Sequence, residues 1–432
     1  MGHSRSAADP TRRALVLGAA GLALAGAPPA FAQSGFPAFI ERFRARARAR
    51  GVSDATYARA TAGLTPDPEV LELSRRQAEF SETTWQYLAR RVNEWRITTG
   101  RQRHEQHRAL LAAIESRYGV DRFTVLSVWG NETAYGEVFN NPRVMRPVLR
   151  SLATLAWGEP RRRGYWESEF ANALLIVERG WSTPERMTGS WAGAMGHTQF
   201  MPDAWLSVAV DYDGDGRRDL YAVPDALAST ANFLRTRGRW QTGKPWGFEV
   251  RAAPSFAVER IDERRGRPVR EWQRMGISRA DGRPFSEEGA EARLRFPAGR
   301  NGPGFLMLQN FRAAMAYNPA FNYALAVHHL ADRLRGQGPF VTPFAGASRE
   351  LTLSELAEMQ QRLASAGFDT GGTDGRVGDM TRRAVRSFQE RNGISPADGW
   401  PSEQVLARLR STTAAPAAST SNPLDGLLSR QR

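Results

Sequence analysis

Glu132 is the only charged residue in the run Thr124-Val125-Leu126-Ser127-Val128-Trp129-Gly130-Asn131-Glu132-Thr133-Ala134-Tyr135-Gly136. Val125 and Val128 precede it at helical spacing, so the stripe expected to enter a core carries a carboxyl group. Burial raises a carboxyl pKa, and a carboxylic acid kept protonated near neutral pH is a general acid. A glutamate at a helix end also serves as a cap or an ion-pair partner, which needs no chemistry. A second cluster, Asp211-Tyr212-Asp213-Gly214-Asp215-Gly216-Arg217-Arg218-Asp219, sets carboxylates at loop positions 1, 3, 5 and 9 with glycine at 6, the calcium-loop pattern of an EF-hand. Arg217 stands at position 7, a main-chain ligand position, while Ala222 occupies position 12, where a bidentate Glu is expected. Asp225, three residues later, supplies the closing carboxylate of a longer loop. Hard oxygen ligands favour calcium, and clustered acids repel one another unless a cation sits among them; an empty Asp-Gly turn is the alternative.

Two further segments carry polar and aromatic groups dense enough to hold a ligand. In Gly189-Ser190-Trp191-Ala192-Gly193-Ala194-Met195-Gly196-His197-Thr198-Gln199-Phe200-Met201-Pro202, glycines let a bulky ligand approach the backbone. Ser190 and Gln199 can hydrogen-bond hydroxyls or acetamides there, and aromatic rings can stack on sugar faces. A tightly packed glycine-rich turn explains the same residues without a ligand. His197 makes no metal site, because no other histidine sits at ligand spacing to it. In Tyr317-Asn318-Pro319-Ala320-Phe321-Asn322-Tyr323, Asn318 can orient a polar ligand group and the tyrosines can wall a groove, or the stretch is only a Pro-marked helix start.

The chain's 432 residues, 41% of them hydrophobic, exceed what one core usually organises, so two or three domains with tails are expected. Phe36, Phe39, Ile40 and Phe43 fall on one helical face, and helical patterns continue to about residue 240. Asp121 stands as the N-cap of the helix that ends at Glu132. From Lys244 to Gly304 the chain is rich in Gly, Pro and Arg and alternates at Arg293-Leu294-Arg295-Phe296, which predicts a small strand-containing insertion. Helical spacing returns at Phe311, Ala314, Met315, Leu325 and Leu330 and closes the first domain near Arg335. Residues 336–349 read as a linker, 350–410 as a small three-helix unit, and 411–432 as a disordered Ser, Thr, Ala and Pro tail. The fold class is mainly α, of the α+β kind.

The formal charge of +14 suits a polyanionic partner: nucleic acid, the anionic stem peptides of a bacterial cell wall, or no partner at all if the arginines form only a solvated surface. No zinc spacing, RNA-binding signature or continuous basic heptad region supports nucleic acid. Residues 1–32 read as an export signal, with Arg12 and Arg13, an apolar run from Ala14 to Ala27, and Ala30-Phe31-Ala32 before cleavage near Gln33. The paired arginines suit either the twin-arginine or the ordinary secretory route. With zero cysteines there is neither a disulfide framework nor a lipid-attachment site, so a soluble periplasmic protein is expected.

Together these segments resemble the lytic murein transglycosylases related to the membrane-bound type B enzyme, from about Phe36 to Arg335. The resemblance implies a lysozyme-like catalytic domain with a helical N-terminal lobe. Gly130-Asn131-Glu132-Thr133-Ala134-Tyr135-Gly136 is similar to the family segment whose Glu is the catalytic acid and base, which gives that role to Glu132. The glycine-rich segment implies substrate contacts for Ser190, Gln199 and Phe200, and the closing segment for Tyr317, Asn318 and Tyr323. Asp211, Asp213, Asp215, Arg217 and Asp225 match an atypical calcium loop, with calcium structural and no organic cofactor. Phe233 stands where the family carries a hydroxyl-bearing aromatic at a substrate position, and the lipid-bearing cysteine of the membrane-bound type is absent. Residues 350–410 resemble the three-helix peptidoglycan-binding domain through Met359-Gln360-Gln361-Arg362-Leu363, Gly367-Phe368-Asp369, Asp374-Gly375-Arg376-Val377-Gly378 and Thr381-Arg382-Arg383-Ala384-Val385-Arg386-Ser387-Phe388-Gln389. The implied activity is cleavage of the MurNAc-GlcNAc β-1,4 bond without water, leaving 1,6-anhydromuramic acid ends. A hydrolytic muramidase and a non-catalytic wall-binding scaffold are the alternatives. Glycan strands are the implied partner, other cell-wall enzymes remain open as partners, and neither nucleic acid nor a membrane anchor is expected.

Overall fold

The computed structural model describes residues 35–76, 83–258, 261–299, 302–344, 351–394, 397 and 399–412. The expected leader, the end of the expected linker and the tail beyond Thr412 lie outside the described residues. The first helix, Phe36–Ala49, buries Phe36, Phe39, Phe43 and Ala47, as the aromatic spacing predicts. Those rings pack edge-on to Trp157 at 5.5 Å and against Phe170 at 4.8 Å. They seat the helix on the hairpin of helices Val148–Gly158 and Arg163–Glu178. Each such side chain taken out of water contributes about 1.5–3 kcal/mol, which is what holds an Arg-rich helix on the core.

The helix Arg122–Thr133 begins as expected, with the Asp121 carboxylate accepting from the Thr124 N–H at 2.8 Å. Every residue from Thr124 to Thr133 is buried, so the helix is enclosed on all sides rather than apolar along one stripe. It packs against the helix Phe321–Leu334, and Ser127 Oγ donates to the Val327 carbonyl at 2.6 Å. Its end is abrupt: Ala134, Tyr135 and Gly136 have φ of 51°, 60° and 91°, three left-handed residues in a row. A side chain tolerates that region poorly, so packing must hold Ala134 and Tyr135 there.

The insertion is a five-stranded antiparallel sheet in the order Arg267–Pro268, Glu291–Arg295, Gly304–Met307, Gly247–Ala252, Ile277–Arg279. Its last strand runs past the expected end at Gly304, because Leu306 pairs with both Phe248 and Leu294 in the ladder. Phe248, Val250, Ile277, Leu294, Leu306 and Trp272 form a core of its own. The C-terminal unit is three helices, Leu353–Ser365, Asp379–Arg391 and Glu403–Thr412, around Met359, Leu363, Val385, Phe388, Val405, Leu406 and Leu409. Thr352 and Glu355 form a capping box at its start. The last helix runs two residues into the expected tail, as far as Thr412, where the Ser411 and Thr412 hydroxyls donate back to the Arg408 carbonyl, each at 2.8 Å. Among the described residues, no helix is long and apolar enough to cross a membrane.

Candidate active site

Glu132 sits in the last turn of its helix and is 9% exposed. Its Oε1 accepts a hydrogen bond from the Tyr323 hydroxyl at 2.6 Å, across 191 residues of sequence. The antiparallel pairing of the two helices produces this meeting. From the Ser127–Val327 bond, five residues forward on one helix and four back on the other, roughly 7 Å along each, bring Glu132 to Tyr323. Burial, then the charge on Glu132, raises the Tyr323 hydroxyl well above its ordinary value, so it stays a proton donor. Next to Tyr323, Asn322 Oδ1 accepts from Thr84 Oγ1 at 2.8 Å, which ties this helix start to the helix Thr84–Arg91.

The left-handed tail behind Glu132 is held by one ring. Tyr135 donates through its hydroxyl to the Arg96 carbonyl at 2.9 Å. A Cβ at Gly130 would lie 2.6 Å from Tyr135 Cζ, and one at Gly100 would lie 2.8 Å from the same atom. Both glycines are therefore required by the ring between them. Beneath it, Arg91 Nη1 donates to the Asn131 carbonyl at 2.5 Å and Arg96 Nε to the Gly130 carbonyl at 3.2 Å. These guanidinium groups occupy the carbonyl end of the helix, where cations are favoured.

The glycine-rich segment folds as two tight reversals. Ser190 Oγ accepts from the Ala194 N–H at 3.1 Å, and Met195 and Phe200 exchange main-chain bonds at 2.9 and 2.8 Å. The expected space for a ligand above the glycines is taken by the protein: a Cβ at Gly193 would meet Leu152 at 2.6 Å, and one at Gly196 would meet Leu220 Cβ at 2.7 Å. Gln199 takes φ 53°, is 9% exposed, and donates to the Gly196 carbonyl at 3.0 Å.

Phe200, Phe233 and Tyr317 form one buried aromatic stack, with centroids 4.9 to 5.9 Å apart. At 0%, 1% and 2% exposure these rings, expected at the substrate surface, lie inside the fold. Tyr317 also gives its hydroxyl to the Thr198 carbonyl, joining the stack to the glycine-rich turn. Asn318 is 4% exposed; it ends the helix Gln309–Tyr317 and accepts from the Ala320 N–H at 3.2 Å. Tyr323 meets Glu132 itself, with its ring 8° from parallel to Tyr317.

In the aspartate loop, carboxylate oxygens of Asp211, Asp213 and Asp225 lie within 4.8 Å of one another. Asp215 and Arg217 are not brought into that group; Asp215 instead accepts from the Arg217 N–H at 2.8 Å. Asp225 Oδ1 accepts from the Tyr212 N–H at 2.7 Å and Oδ2 from the Asp219 N–H at 2.8 Å. Burial pushes the Asp225 carboxyl above its ordinary value, while the Tyr212 and Asp219 donors pull the other way. Three carboxylates at this separation fit a hard divalent cation.

Sequence reasoning missed Tyr323 as the partner of Glu132, Gly100 and Thr84 altogether, and the Trp129 indole N–H that donates to His197 Nδ1 at 3.0 Å. No local pattern could have found the first three. His197 left a weak signal, a lone imidazole in a turn of small residues.

The family model described as the transglycosylase SLT domain matches residues 35–332, and that of a putative peptidoglycan binding domain matches residues 352–409. The chain belongs to this transglycosylase family, on the side of the type B lytic transglycosylases. It is 32% identical over 221 residues to the membrane-bound lytic murein transglycosylase B of Escherichia coli (strain K12), a match covering 50% of this chain and 57% of that relative. The chain thus spans a little over half the length of that protein. Among solved structures, SltB3 from Pseudomonas aeruginosa in complex with NAG-anhNAM-pentapeptide is 42% identical with a TM-score of 0.69, covering 87% of this chain and all of the other. Slt35 from Escherichia coli in complex with calcium is 24% identical with a TM-score of 0.59, covering 70% of this chain and 93% of that one, a likeness of fold.

Proposed function

We propose that the chain is a lytic transglycosylase, a carbon–oxygen lyase that cleaves the MurNAc-GlcNAc β-1,4 bond of peptidoglycan without water. Glu132 protonates the glycosidic oxygen leaving the muramic acid unit. The substrate's acetamide stabilises the oxocarbenium charge that develops, with Asn318 orienting it. Glu132, now ionised, takes the proton of the sugar's 6-hydroxyl, whose oxygen closes on the anomeric carbon to leave the 1,6-anhydro ring. One observation carries this reading: a carboxyl group enclosed at the end of a buried helix and gripped by a neutral phenol. The phenol keeps its own proton while Glu132 loses one and regains it, so the bond is available in both halves of the reaction. The relative solved with an anhydro-muropeptide adds support.

Asp211, Asp213 and Asp225 hold calcium in this proposal, with Asp215 and the Arg217 main chain joining when it binds. The ion is structural and ties the loop together. Ser190 and Gln199 contact the glycan, and the Phe200, Phe233 and Tyr317 stack supports them from behind. Residues 1–32 direct export to the periplasm by the secretory or twin-arginine route, residues 33–335 carry catalysis, and the three-helix unit at 350–410 binds the wall.

The test is digestion of purified sacculi with wild type and Glu132→Gln, followed by mass spectrometry of the glycan ends. Anhydro ends from the wild type, with release lowered by about 10²–10⁴-fold and wall binding kept in the variant, are expected. Ends heavier by one water identify a hydrolytic muramidase, and wall binding without release by either protein identifies a scaffold.

A further inference from the structure

His197 has no part in the proton transfers above, yet three segments of the site converge on it. Its Nδ1 accepts from the Trp129 indole at 3.0 Å. An indole N–H only donates, so Nδ1 carries no proton. A ring whose Nδ1 is unprotonated keeps its one proton on Nε2. The backbone of His197 is engaged as well: its carbonyl accepts from Thr133 Oγ1 at 2.7 Å, and its N–H donates to the Leu220 carbonyl at 2.9 Å.

These three bonds have a direction. Trp129 and Thr133 stand three residues before and one after Glu132 on the same helix. Leu220 directly follows Asp219, whose N–H donates to the Asp225 carboxylate at 2.8 Å. One residue therefore joins the helix that carries the acid to the loop that carries the aspartates. The ring cannot swing away, because Phe139 closes it edge-on at 4.8 Å and a Cβ at Gly136 would lie 3.1 Å from its Cε1. Burial pushes its pKa down to about 4, against the pull of Asp219 and with the push of Arg103 and His107, so the ring is neutral at neutral pH.

We propose that His197, as its neutral Nε2–H tautomer, is a positioning residue that ties the Glu132 helix to the aspartate loop and so sets where the acid stands. This rests on the reading of Glu132 as the catalytic acid. The side-chain half of the link is the indole bond, which needs an unprotonated ring nitrogen facing Trp129.

The experiment uses the full chain. Isotope-labelled histidine in the wild type reports the tautomer by NMR; an unprotonated Nδ1 coupled to the Trp129 N–H is expected, and a proton on Nδ1 overturns the proposal. Steady-state kinetics on soluble glycan strands then compare His197→Phe and Trp129→Phe, which lose the bond, with His197→Asn, which keeps an acceptor near Nδ1. A fall in kcat of about tenfold to a hundredfold with KM within about twofold is expected for the two Phe variants, with most of it recovered in His197→Asn. If both sides of the bond are removed together, the loss should be no greater than for one. Phe variants as active as the wild type refute the inference, and if His197→Phe fails to fold, Trp129→Phe carries the test alone. A wild type that forms no anhydro ends sinks the functional reading instead, a result the tautomer measurement does not share.

Discussion

Replacing Tyr323 with Phe removes one oxygen atom from the site and leaves its ring against Tyr317 at 6.4 Å. The lost bond is the 2.6 Å donation to Glu132 Oε1, with both residues buried, at 3% and 9% exposure. Hydrogen bonds to a charged group contribute about 1.5–3 kcal/mol. The phenol remains protonated throughout, since burial and the Glu132 charge raise it. It therefore favours the ionised carboxyl over the neutral one, and deleting it makes Glu132 a weaker acid than in the wild type. At 1.36 kcal/mol per pKa unit, the shift is about 1–2 units upward. In a profile of kcat/KM against pH, the limb along which activity falls as the acid ionises moves up by that amount, so the variant keeps activity at alkaline pH where the wild type fades. The assay is release of soluble muropeptides from sacculi, followed by chromatography at constant ionic strength. Superimposable limbs for wild type and Tyr323→Phe would refute the reasoning, because the limb would then report some group other than Glu132.

Gly100→Ala forces a methyl group onto the Tyr135 hydroxyl and to within 2.6 Å of Leu334 Cδ2, so a stability loss of about 1–3 kcal/mol by denaturant titration is expected, and an unchanged midpoint would count against the packing described. A chelator should lower the melting temperature of the wild type but leave that of an Asp211→Asn/Asp213→Asn protein unchanged; equal responses would rule out the aspartate loop as the cation site. Asp225→Ala leaves the N–H groups of Tyr212 and Asp219 without their acceptor and should cost about 1–3 kcal/mol even in chelator, measured by the same melts. In the three-helix unit, hydrogen bonds from Arg410, then Arg362, hold the Glu358 carboxyl down at about 2. A depressed carboxylate contributes stability above its ordinary value of about 4.5 and loses it as pH falls toward 2, so Glu358→Gln should flatten acid unfolding in that window.

Legibility from sequence divides at the range of the interaction. Asp121 announces its helix because a cap bonds three residues away, and Phe36, Phe39 and Phe43 announce a face because helical geometry repeats locally. The insertion is visible through the alternation at Arg293-Leu294-Arg295-Phe296, and Glu132 through its solitude in an apolar run. The phenol on Glu132 comes from a helix 191 residues away, and nothing near Tyr323 distinguishes a ring that walls a groove from one that grips an acid. Gly193 and Gly196 show the same limit: a missing Cβ marks a close approach without saying whether ligand, Leu152 or Leu220 makes it. Phe200 reads as a stacking ring and Tyr317 as the wall of a groove by residue type, but burial, a property of the whole fold, puts both inside.

The left-handed run from Ala134 to Gly136 has a consequence for how this architecture tolerates change. A helix that frays freely can absorb an inserted or deleted residue by winding or unwinding its final turn. Here Tyr135 is pinned between Gly100 and Gly130 like a bolt in a keeper, so the winding has a hard stop. Slipping by a single residue would turn Glu132 by about 100° around the axis, away from Tyr323 altogether. Length variation in relatives of this chain should therefore gather in the connections beyond Gly136 and before Asp121, and be missing from the twelve-residue helix between them.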